Sequence, residues 1–113
     1  MNDKKETSLY YTYILQCENS VLYTGITTDY KRRLKEHKGE DGLLKGAKFT
    51  KSHKPERIVA LWKTDNRSDA SKLETRIKQL KKSEKLKLIE DNKMFKTLFS
   101  ELLDCRNYSR VKV

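Results

Sequence analysis

The sequence predicts a small α+β domain, a β-hairpin and a third strand with helices packed around them. Three observations predict it. Two β-forming runs are separated by the turn signal Glu18-Asn19-Ser20, a third run reads RIVALWK, and apolar residues recur at helical spacing in the segments after the hairpin and after the third run. The expected order is β-β-α-β-α-α plus a C-terminal helix.

Residues 1–8 are polar and are expected to be flexible. Residues 9–17, LYYTYILQC, form the first strand, and residues 21–27 form the second. Thr28 or Asp29 can cap a helix that ends before Gly39, where glycine suits a left-handed C′ position. Residues 39–56 contain three of the four glycines and the only proline, so they read as a long basic loop. Residues 57–63 are the third strand. Ser68 or Asp69 opens a helix reaching about Lys82, and Ser83 caps a shorter one through Ile89. The run MFKTLFSELL, residues 94–103, is a terminal helix whose packing face is Phe95, Leu98, Phe99 and Leu102. The tail RNYSRVKV is basic and expected to be loose. The predicted boundaries are a flexible stretch over 1–8, one domain over 9–90, and a C-terminal helical extension with its basic tail over 91–113. A single domain suits 113 residues.

Hydrophobic residues make up 35% of the chain and charged residues 37%, with 26 Lys and Arg against 16 Asp and Glu. A net charge of +10 points to a polyanionic partner, nucleic acid or an anionic membrane surface. No apolar run approaches the roughly 20 residues that span a bilayer. MNDKKETS lacks the apolar stretch of a signal peptide, so a cytoplasmic location is expected. Cys17 and Cys105 lie far apart and are not grouped with histidines at metal-ligand spacing, which reads as thiols in a reducing compartment rather than a zinc site.

On a wheel of 3.6 residues per turn, Tyr30, Arg33, Leu34 and His37 share the inward stripe of the first helix, while Lys31, Arg32, Lys35, Glu36 and Lys38 cover the remainder. A buried cation without a partner costs several kcal/mol, so something anionic is expected near Arg33 and His37. In the next helix Ala70, Leu73, Ile77 and Leu80 form the apolar stripe, with Glu74 at its border. Glu74 can pair with Arg33 or hold a divalent cation, and spacing alone favours the ion pair. If Glu18-Asn19-Ser20 is a three-residue loop, Leu15 faces Tyr23, and Tyr13 and Tyr23 become diagonal neighbours on one face. Two phenols, a guanidinium, an imidazole and a carboxylate suit phosphodiester hydrolysis: a base for water, cations for growing phosphate charge, and a carboxylate for a metal. A tyrosine base needs its pKa of about 10 lowered by neighbouring cations. Lys45, Lys48, Lys51, His53, Lys54 and Arg57 are expected phosphate contacts, whereas Lys78, Lys81, Lys82, Lys85 and Lys87 read as a solvated helix face and Trp62 as core.

Tyr11-Thr12-Tyr13 with Ile14-Leu15, followed about ten residues on by Tyr23-Thr24-Gly25, resembles the paired motif of the GIY-YIG nuclease superfamily. Arg33, His37 and Glu74 fall where that family carries its helix arginine, a histidine or tyrosine, and its metal-binding glutamate. The likeness covers residues 10–89, and the GITTD, GAKFT and IKQL segments are similar to those of small stand-alone bacterial members. The resemblance implies a three-stranded antiparallel sheet flanked by helices, one Mg²⁺ or Mn²⁺ on Glu74, and attack by water on a DNA phosphodiester. That is an endonuclease, with structure-selective repair or recombination enzymes among its relatives. On this chain Tyr13 or Tyr23 would act as base or orient the water, Arg33 would bind the scissile phosphate, and His37 would assist proton transfer or touch phosphate. The sequence departs from the pattern at Tyr11, at Ile26 where repair-type members have lysine, and at Leu86 where many have asparagine. Those departures keep a second reading open, a non-catalytic nucleic-acid-binding module on the same fold. RNA also stays open as a ligand.

Overall fold

The computed structural model describes residues 9–39 and 53–113. The expected flexible stretch 1–8 and most of the expected basic loop, with Lys45, Lys48 and Lys51, lie outside the described residues. β1 (Tyr10–Cys17) and β2 (Leu22–Thr27) form the hairpin, α1 spans Tyr30–Lys38, and β3 spans Pro55–Thr64. Then come α2 (Arg67–Lys78), α3 (Lys82–Glu90), α4 (Met94–Phe99) and a two-residue strand β4 (Ser109–Arg110).

The sheet has four antiparallel strands in the order β2-β1-β3-β4, one more than expected. The extra strand comes from the tail expected to be loose. Ser109 and Arg110 pair with Lys63 and Trp62, and Val111 N–H donates to the Leu61 carbonyl at 2.8 Å. Arg110 fixes the tail further by lying over the Trp62 ring at 5.1 Å. It also donates to the Leu88 and Ile89 carbonyls at the end of α3, groups that a helix leaves unsatisfied.

β1 is the central strand of the hairpin and β3, and Thr12, Tyr13, Ile14 and Leu15 are buried in succession. Side chains alternate across a strand, so the sheet carries two apolar clusters. Ile14, Ala60 and Trp62 face Leu73, Ile77, Leu88, Phe95 and Phe99 of α2–α4. Tyr13, Leu15 and Leu61 gather with Tyr23, Tyr30 and Leu34 on the side of α1. Thr12 Oγ1 donates to the Ala70 carbonyl at 3.1 Å, tying β1 to α2.

Helix ends follow their caps. Asp29 accepts from Arg32 N–H at 3.0 Å to open α1, and Gly39 closes it at φ 68°. α2 starts at Arg67 rather than at Ser68 or Asp69, because Asn66 is the cap and accepts from Asp69 N–H at 2.8 Å. The terminal helix stops at Phe99, short of residue 103. Phe95 and Phe99 are buried as expected, but Leu103 turns onto the core while Leu102 is left half exposed.

Candidate active site

The hairpin pairs Leu15 with Tyr23 and Tyr13 with Gly25, the register expected from a three-residue loop. Tyr13 and Tyr23 therefore share one face, with ring centroids 6.3 Å apart. α1 lies over them and brings its inward stripe to the phenols. His37 Nε2 is 2.8 Å from the Tyr13 oxygen, and its ring meets Tyr13 and Tyr23 edge-on at 5.9 and 5.3 Å. Tyr11 and Tyr30 pack edge-on at 5.1 Å beside this group.

Gly25 makes room for the arrangement. A Cβ at that position would stand 2.5 Å from the Tyr13 hydroxyl oxygen and 2.7 Å from its ring carbon Cζ, inside any tolerable contact. The Tyr13 ring thus lies flat across β2 because residue 25 has no side chain.

Burial sets the proton positions. Tyr13, only 2% exposed, has its pKa pushed up to about 12, chiefly by desolvation, against the pull of its hydrogen bond with Arg33. Burial thus outweighs the pull of Arg33, and in the free protein Tyr13 stays a phenol. His37 is pushed down to about 4, first by desolvation and next by the Arg33 charge. The expected pair of inward cations is therefore one cation and one neutral imidazole. With Tyr13 protonated and His37 neutral, the two share this hydrogen bond, and the imidazole tautomer sets which of them donates. Burial works against the Arg33 charge, but hydrogen bonds with Glu36 and Tyr13 outweigh it and keep the guanidinium protonated.

The expected Arg33–Glu74 ion pair is replaced by two local ones. Arg33 Nη1 meets Glu36 Oε1 at 3.0 Å one turn along α1, and Glu74 Oε2 meets Lys78 Nζ at 3.2 Å along α2. Partners three and four residues away on the same helix are reached without ordering a second element. Glu74 stands partly buried on α2, which packs against β1 and β2, and its charge is felt at Tyr13 as the weakest of several influences. Four of the five expected site residues are thus in contact, and Glu74 is near them but not bonded to them.

Among the expected phosphate contacts, Lys54 and Arg57 are exposed and His53 is half-buried. Two residues that shape the site escaped the sequence reading. Glu36 was assigned to the outer face, although its spacing from Arg32 and Arg33 is that of helix ion pairs. Gly25 was visible as part of a motif, yet only the ring across it explains it.

A carboxylate oxygen is the kind of donor a hard cation takes, and Glu74 would have to release Lys78 to offer it. No cluster of three or more His, Cys, Asp or Glu side chains occurs among the described residues, so Glu74 would act alone. That fits Mg²⁺ or Mn²⁺ sites in which water and substrate phosphate supply most ligands.

The chain is similar to known proteins over most of its length. Residues 9–87 match the GIY-YIG catalytic domain. A UPF0213 protein of Fusobacterium nucleatum is 38% identical over 104 residues, covering 92% of this chain and 94% of its own length. A UPF0213 protein of Oceanobacillus iheyensis is 47% identical over 81 residues, covering 72% and 90%. The solution NMR structure of a UPF0213 protein from Bacillus halodurans is 39% identical, covers 73% of this chain and 83% of that one, and gives a TM-score of 0.46. With its paired tyrosine motif, inward arginine and matching span, the chain belongs to the GIY-YIG family.

Proposed function

We propose that this protein is a metal-dependent endonuclease that hydrolyses DNA phosphodiester bonds, with selectivity for branched, flapped or damaged structures in repair or recombination. The observation that carries the reading is the chain of contacts from Arg33 through the Tyr13 phenol to the neutral His37 imidazole. Arg33 offers its charge to the scissile phosphate by exchanging Glu36 for it. Tyr23, less buried than Tyr13, is the phenol that meets the attacking water. Tyr13 lies behind it, stays a phenol, and holds the His37 imidazole in place through its hydrogen bond at Nε2. Phosphate arriving at Arg33 offsets one of the two causes that hold His37 basicity down, so substrate itself readies the imidazole as a base. Glu74 would hold Mg²⁺ or Mn²⁺, which when bound supplies a Lewis acid for the phosphoryl and leaving oxygens.

The test is a nicking assay on duplex, flap and junction DNA with each metal. Arg33→Ala and Glu74→Ala are each expected to lower the rate by about 100-fold or more, the scale of losing one charge-stabilising group. Wild-type protein that cuts none of these substrates, yet binds them with an affinity unaffected by chelator and by Glu74→Ala, would instead be a non-catalytic binding module.

A further inference from the structure

Outside the tyrosine cluster, the outer side of α2 carries a groove of about 750 Å³. Among the described residues its cations are Arg67, Lys72 and Arg76, and no acidic residue lines it. Ser68 and Ser71 add hydroxyl groups, while Thr75 spends its proton on the Ser71 carbonyl. Leu102 and Leu103 wall one side, making a groove of what would otherwise be an open helix face. Asp69, the acid in the first turn of this helix, is engaged by the Asn66 amide at 3.1 Å.

We propose that this groove is a second contact track for the phosphate backbone of duplex DNA. The inference rests on the nucleic-acid reading above and deepens it, but the surface is separate from the tyrosine cluster. Charge complementarity selects the occupant: three cations and free hydroxyls suit phosphate oxygens, which position a duplex without reading its sequence. From residue 67 to residue 76 the helix rises about 13 Å. One strand of a duplex carries a phosphate for about every 3.4 Å of its axis, so the track accommodates a few of them. The track begins beside the site, since Arg67 and Ser71 stand about 20° and 60° round the helix from Glu74, and turns away from it, since Lys72 and Arg76 stand about 160° round. Selectivity for shape follows, because only DNA that can lie both across the tyrosines and along α2 engages both surfaces.

The experiment measures binding of a labelled duplex to the full chain over a salt series in chelator, so cleavage plays no part. The variant Arg67→Gln/Lys72→Gln/Arg76→Gln is compared with Lys87→Gln/Lys93→Gln/Lys96→Gln, which removes equal charge from other exposed positions. Each lost phosphate contact flattens the slope of log K against log salt by about 0.9, so the groove variant is expected to lose about 2 to 3 units and the control less than about 1. A residue-resolved titration of wild-type protein with the same duplex is expected to perturb the Ser68, Ser71 and Lys72 amides, and this stands even if the groove variant folds poorly. Equal slopes in the two variants, or perturbation confined to Tyr23, Arg33 and their neighbours, overturns the groove while leaving the nuclease reading intact. Perturbed α2 amides in a protein that cuts nothing would sustain the groove and remove the nuclease reading. No salt-dependent duplex affinity at all overturns the groove as a DNA surface and turns attention to an acidic protein partner.

Discussion

His37 is the residue on which burial acts most visibly. It is 6% exposed, touches Tyr13 and Tyr23, and feels both Arg33 and Glu36. Its position on the inward stripe of α1 was legible from the helical period. Its charge was not, because protonation depends on how much water the packed site excludes, and no spacing rule reports that. The folded pKa of about 4 lies below the ordinary 6.5. Between those values the unfolded chain binds a proton that the folded chain refuses, so stability falls as pH drops through the window from 6.5 to 4. Below the lower value both states are protonated and the loss stops. The upper limit of the effect is of order 3 kcal/mol. Urea titrations at pH 7 and pH 4.5 check it: wild type should lose more stability on acidification than His37→Gln. Equal losses would mean that the imidazole is not held neutral.

At the scale of elements, strands and helices were legible wherever one local signal dominated. β1, β2 and α1 were bounded within a residue or two because the hairpin turn, Asp29 and Gly39 act locally. α2 was placed late because Asn66, Ser68 and Asp69 are all cap-type residues, and only geometry decides among them. β4 was invisible: two residues make no pattern, and their pairing depends on a strand more than forty positions earlier. The Glu74 partner was misjudged for the opposite reason, since a local lysine was preferred to a distant arginine. Arg110 holds β4 and α3 together, and it does so from the cluster around Trp62 rather than from the tyrosine face. Arg110→Ala loses hydrogen bonds from a charged group, worth about 1.5–3 kcal/mol, together with a cation–π contact of about 0.5–1 kcal/mol. Chemical denaturation should show a loss of about 2 kcal/mol, with nicking by the folded variant unchanged. A drop in nicking without a drop in stability would tie the tail to the site.

For the whole molecule, what keeps the fold together and what lets it act are separable. The sheet is covered on both faces by apolar clusters that draw on every strand of the hairpin and on α1–α4. Both cysteines are free thiols, with Cys17 buried. Glu74 lies at the border of the α2 stripe, whose buried residues Ala70, Leu73 and Ile77 seat that helix without it. Ten-fold saturation of such a one-carboxylate site adds only about 1.4 kcal/mol to stability by mass action. That moves the thermal midpoint of a domain this size by roughly 6 °C at most. A chelator should therefore abolish nicking while far-ultraviolet circular dichroism at 25 °C stays unchanged and the midpoint moves no further than that. If chelation unfolds the protein, an ion is part of the fold, and Glu74→Ala would lose activity through collapse rather than chemistry. The two melting curves, with metal and with chelator, consequently have to be recorded before any loss of cutting by that variant is assigned to the reaction.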